Sequence, residues 1–104
     1  MISPCILVID NDVKLLVNLE ATLNQAGYRV LTAHDGRQAL YLAQAVRPEV
    51  IVCDVTRPSR NGVDVRSTLA QDSQTASIPF IPLIKNKQEL VARVNATIRS
   101  HAMG

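Results

Sequence analysis

The sequence predicts an α/β domain: a doubly wound parallel sheet of about four strands with helices on both faces. Short apolar runs of strand length alternate with segments whose apolar residues recur at helical spacing. Two of the runs, Ile6-Leu7-Val8-Ile9 and Val50-Ile51-Val52-Cys53, also end in an aspartate, Asp10 and Asp54. Strands separated by helices need crossover connections, which are right-handed and yield parallel pairing. A chain of 104 residues is long enough for one core, so residues 1–104 read as a single domain.

The elements follow in order. Residues 5–9 form a continuous apolar run, the pattern of a strand buried on both faces. Leu15, Leu16, Leu19, Leu23 and Ala26 line one face of a helix over 13–26, with Asp12 or Asn11 able to cap its front and Gly27 its end. Residues 28–33 read as a second strand. Asp35-Gly36 opens a helix resting on Ala39, Leu40, Ala43 and Val46, and Arg47-Pro48 closes it. Residues 49–53 are the third strand. A weaker helix over 62–70 rests on Val63 and Leu69, with Arg66 where another apolar residue would be expected. A polar loop over 71–77 precedes a fourth strand at 78–84. The last helix, 87–100, carries Leu90, Val91, Val94 and Ile98.

Composition excludes several classes. The chain is 47% hydrophobic but only 3% aromatic, so its core must be aliphatic. A net charge of +2 with dispersed basic residues is not a nucleic-acid footprint. No apolar stretch approaches the ~20 residues of a membrane span, and Met1-Ile2-Ser3-Pro4 lacks the basic region of a secretory signal. A cytoplasmic location is expected. In adjacent parallel strands Cys53 would lie level with Ile9, which leaves Cys5 about 13 Å away at ~3.3 Å per residue. A disulfide needs Cα atoms within about 7 Å, so both cysteines read as small buried hydrophobes.

Parallel sheets place their binding sites at the carboxyl ends of the strands. If the strands ending in Asp10 and Asp54 are neighbours, they lie about 4.8 Å apart. Their charges then repel unless a cation or a proton sits between them. A cup of carboxylate oxygens suits a hard divalent ion such as Mg²⁺, which points to phosphoryl chemistry.

These residues resemble the receiver domain of two-component response regulators. The match covers Ile6 to Asp12, Ala26 to Val30, Ala33 to Leu40, Arg47 to Val55 and Pro58 to Gly62, and resumes at Gln88 to Val94. The resemblance implies a flavodoxin-like receiver fold in which Asp54 is the phosphoacceptor, with a sensor histidine kinase or phosphotransfer protein as donor. It also implies Mg²⁺ held by Asp10, Asp54 and the Thr56 carbonyl.

Three departures stand out. The family's first-strand acidic pair falls on Asp10 and Asn11, so one carboxylate is an amide and weaker Mg²⁺ binding is expected; Asp12 is a candidate to compensate. The Ser or Thr that closes the family's fourth strand and contacts the phosphoryl group reads as Ile84, whose side chain cannot donate that hydrogen bond. Between the fourth strand and last helix, a further helix and strand of the family are absent. Lys85 then stands near the family's phosphoryl-contacting lysine. The fourth strand becomes an edge, which suits Pro82, and Phe80, Ile81, Leu83 and Ile84 are expected to form an exposed surface that pairs with a second copy as a homodimer.

Two other readings compete. A pseudo-receiver would keep the fold as a protein docking module without phosphorylation. A haloacid-dehalogenase-like phosphatase would use Asp10 of Asp10-Asn11-Asp12 as nucleophile, but that family needs a late acidic pair, and after Asp72 the only acid is Glu89. A signalling module, not an enzyme, is the expectation.

Overall fold

The computed structural model describes residues 3–54 and 65–103. Within them, a parallel sheet of four strands runs in the order β2-β1-β3-β4: β1 Cys5–Ile9, β2 Arg29–Ala33, β3 Val50–Cys53 and β4 Phe80–Pro82. The helices are α1 Val13–Gln25, α2 Gly36–Val46, α3 Val65–Gln71 and α4 Lys87–Met103.

Helix boundaries obey local chemistry. The Asp12 carboxylate accepts hydrogen bonds from the Lys14 and Leu15 amides at 3.0 and 3.3 Å and so caps α1. Gly27, with φ +99°, supplies the left-handed turn after it. Asp35 caps α2 through the Gln38 amide at 2.8 Å, and the Gln38 side chain accepts from the His34 amide at 3.0 Å. Arg47 ends α2 in the left-handed conformation, directly before Pro48.

The strands divide the core by alternation. Ile6, Val8, Val50, Val52 and Ile81 face α1 and α4, meeting Leu16, Leu19, Leu23, Leu90 and Val94. Leu7, Ile9, Ile51 and Cys53 face α2 and α3, meeting Ala39, Ala43 and Leu69. Tyr28 packs beside the first cluster, and its hydroxyl donates to the Asn95 side chain of α4. Burial raises the Tyr28 hydroxyl pKa, partly opposed by the Arg99 cation.

The fourth strand is shorter than expected. Ile78 belongs to the preceding turn, where its amide donates to the Thr75 carbonyl at 3.1 Å, and the extended ladder covers only 80–82. That turn is built by Asp72 and by the buried Thr75, whose hydroxyl donates to the Leu69 carbonyl at 2.6 Å. Nor do Phe80, Ile81, Leu83 and Ile84 form one exposed surface. Ile81 is buried, and Leu83 and Ile84 are half-buried against the α1/α4 core. Only Phe80 turns to the other face. The last helix also runs on to Met103. The expected start of the third helix, at 62–64, lies outside the described residues.

Pro82 sits where an edge requires it. The Pro79 carbonyl and Leu83 amide bond to β3, at 2.9 and 3.0 Å, so alternation turns the proline's missing N–H to the open side. Cys53 is level with Ile9, four positions along from Ile6's neighbour Cys5, and both cysteines are buried and outside any disulfide.

Candidate functional site

β1 and β3 are hydrogen-bonded neighbours, with Ile9 opposite Cys53. Asp10 and Asp54 are each the next residue, so the two carboxylates leave adjacent strands at the same level of the sheet's carboxyl edge. Both are half-buried. The Asp10 amide donates to the Ala33 carbonyl of β2 at 3.0 Å, and its carboxylate accepts from the Asn11 amide at 2.7 Å. The Cys53 thiol lies 3.7 Å from the Asp54 carbonyl oxygen.

Asp12 does not join them in the way its neighbourhood in sequence suggested. Its carboxylate turns to the α1 amides, because four unpaired N–H groups at a helix start compete for any nearby acceptor. Among the described residues no three His, Cys, Asp or Glu side chains group closely enough to share an ion. Among the described residues, an ion at this edge would rely on two carboxylates, with water or main-chain oxygens completing its shell. That donor set fits Mg²⁺, which keeps several waters and commonly uses one or two carboxylates.

β4 brings the third side. Pro82 pairs with Cys53, which sets Leu83 level with Asp54 and places Ile84 and the exposed Lys85 just beyond. Ile84 packs toward the α1/α4 core. Thr56 falls outside the described residues. One feature of the rim escaped the reading of motifs: Val13 and Val17, one turn apart at the start of α1, are 63% and 61% exposed. The signal was present in their i, i+4 spacing off the Leu16-Leu19-Leu23 stripe.

The model of the response regulator receiver domain family matches residues 6–101. Among curated proteins, the transcriptional regulatory protein CpxR of Klebsiella pneumoniae is 33% identical over 90% of this chain and 49% of its own length. Protein PilH of Pseudomonas aeruginosa is 32% identical over 81% of this chain and 69% of its own. The chain thus spans about half the length of CpxR. The chemotaxis response regulator CheY4 of Vibrio cholerae superposes with a TM-score of 0.67 at 28% identity, covering 88% of this chain and 79% of that one. The CpxR match spreads 90% of the 104 residues, about 94, over 114 aligned positions; about 20 positions of the relative have no counterpart.

Proposed function

The chain belongs to the response regulator receiver domain family of two-component signalling, and on that premise we propose that Asp54 accepts a phosphoryl group from a phosphohistidine. The donor is a sensor histidine kinase or a phosphotransfer protein. The observation that carries this reading is the equal level of Asp10 and Asp54 on paired strands at the carboxyl edge. An Asp54 carboxylate oxygen attacks phosphorus and forms an acyl phosphate. The phosphorus–nitrogen bond of the donor breaks, and its electron pair stays on the imidazole, which picks up a proton from solvent.

Asp10 and Asp54 would hold Mg²⁺ with the Thr56 carbonyl, and the bound ion would supply charge neutralisation for the phosphoryl oxygens. Asp10 holds its place through the main-chain bond to Ala33. Asn11 offers no charge, so affinity for Mg²⁺ is low. Lys85 extends from the end of β4 toward the same edge and gives a cation for a phosphoryl oxygen. Ile84 cannot report the phosphoryl group by a hydrogen bond, so phosphorylation acts here without that contact. The exposed valines Val13 and Val17 offer the donor protein an apolar foothold at the rim. The setting is the cytoplasm, where thiols outside disulfides, such as those of Cys5 and Cys53, stay reduced.

Asn11 and Ile84 together favour a second reading, a docking module that keeps the fold without phosphorylation. Incubation with acetyl phosphate and Mg²⁺ followed by mass spectrometry separates the two. One added phosphoryl group, lost in Asp54→Asn, supports the receiver. An unmodified chain supports the docking module, and continuous phosphate release would instead indicate a phosphatase.

A further inference from the structure

The end of β4 is held from two sides. The Leu83 amide donates to the Cys53 carbonyl at 3.0 Å and so grips the peptide that carries Asp54. Leu83 and Ile84 then turn into the α1/α4 core, away from the groove lined by Ile78 and Phe80. Next, the Asn86 side chain caps α4 by accepting from the Glu89 amide at 3.0 Å, and the Asn86 carbonyl accepts from the Leu90 amide at 2.9 Å. Between Ile84 and that cap stands the exposed Lys85 alone. From there α4 runs back toward the amino end of the sheet, anchored by the fully buried Leu90 and Val94. About 12 Å along its axis, at ~1.5 Å per residue, the Asn95 side chain accepts a hydrogen bond from the Tyr28 hydroxyl. Tyr28 is itself pinned to α1, its amide donating to the Leu23 carbonyl at 3.1 Å.

We propose that α4 is a lever between Asp54 and Tyr28: a phosphoryl group on Asp54 draws Lys85 inward, α4 shifts against α1, and the Tyr28–Asn95 contact changes. This regulation rests on the reading of Asp54 as the phosphoacceptor. A phosphoryl group adds negative charge and strong acceptor oxygens at the level of Leu83. The ammonium group of Lys85, just beyond that level, gains this attraction in the modified state alone, which is the differential interaction a switch requires. The pull has no loop to absorb it. Leu83 is bonded to β3 and Asn86 closes the helix, so the main chain passes the displacement straight to α4. Packed helices shift by ~1–2 Å in such transitions. Ile84 makes this route necessary, since it lacks the hydroxyl that would report the phosphoryl group directly. The Tyr28–Asn95 bond is the detector, because a directional bond weakens on a displacement that the aliphatic contacts of Leu90 and Val94 tolerate.

The experiment uses the Tyr41→Phe chain, in which Tyr28 is the remaining tyrosine, grown with a fluorinated tyrosine. ¹⁹F NMR spectra are recorded with Mg²⁺ alone and with Mg²⁺ and acetyl phosphate, and mass spectrometry gives the phosphorylated fraction of each sample. Phosphorylation should create a second Tyr28 resonance whose share equals that fraction, and Asp54→Asn should lack it. At an equal phosphorylated fraction, Asn86→Ala should move that resonance back toward the unmodified position, and Asn86→Ser, which restores a capping oxygen, should return it. Asn95→Ala should leave a single resonance with or without the phosphoryl group. A phosphorylated chain whose Tyr28 resonance does not change overturns the lever and leaves Asp54 as the phosphoacceptor. A change seen equally in Asp54→Asn, or one indifferent to both Asn86→Ala and Asn95→Ala, overturns it too. A chain that stays unphosphorylated overturns the phosphoacceptor reading and the lever with it.

Discussion

The two faces of the sheet are built from the same strands and solve the covering problem differently. On one, the leucines of α1 meet Leu90 and Val94 of α4, and their cluster reaches across to Ile81 of the edge strand. On the other, α2 lies close through Ala39 and Ala43, α3 contributes Leu69, and the edge strand's Phe80 is left half-covered. The difference teaches that strand order alone does not decide burial. The placement of the helices decides it: those of one side reach the edge strand, and those of the other leave Phe80 half-covered.

Core truncation gives the sharpest test of that contrast. Leu23→Ala, at a fully buried site of the thick face, should cost about 2–5 kcal/mol in chemical denaturation. Phe80→Ala should cost clearly less than the ~3–5 kcal/mol of a buried Phe, because part of its ring already meets water. Equal losses would mean that the second face is as well closed as the first.

The helix caps come next, because among the described residues an aspartate caps a helix on each face. Asp12→Ala on α1 and Asp35→Ala on α2 should each lower stability by about 1 kcal/mol. A loss from Asp12→Ala unaccompanied by any change in Mg²⁺ affinity would confirm that its carboxylate serves the helix. Asn11→Asp should instead raise Mg²⁺ affinity, measured by ion titration, since it restores a charge to the edge.

The smallest effect concerns pH. The Tyr28 hydroxyl has its pKa raised above the ordinary 10.0 on folding, so folding favours the neutral form. Its contribution is complete below the unfolded-state value and declines as pH climbs through the higher folded-state value. Melting curves across that alkaline range should therefore fall less steeply in Tyr28→Phe than in the parent chain. Identical slopes would remove Tyr28 from the link between α4 and the thick face.

Much of this was legible in the sequence because the signals were local. The runs 5–9 and 49–53 announce buried strands, Asp12 and Asp35 announce helix starts, and the shared ending in aspartate announces Asp10 and Asp54 as partners at one edge. The end of the fourth strand was not legible in the same way. Residues 78–84 are apolar throughout, and periodicity cannot distinguish a residue buried beneath α4, such as Ile81, from one beside an open groove, such as Phe80. That distinction depends on which helix lies above each face. Asp12 was ambiguous for a related reason: a carboxylate one residue before a helix has two chemically good uses, and the structure shows it on the α1 amides.

The position of β1 has a consequence for biosynthesis. This strand is made before the other three strands of the sheet yet lies in its middle, between β2 and β3. Its Ile6 and Val8 share a cluster with Leu90 and Val94, more than eighty residues later. A growing chain that has made β1, α1 and β2 still lacks the α4 portion of that core. Completion therefore waits until α4 is free, and synthesis interrupted before it should yield fragments with uncovered aliphatic surface, the kind that chaperones and proteases recognise.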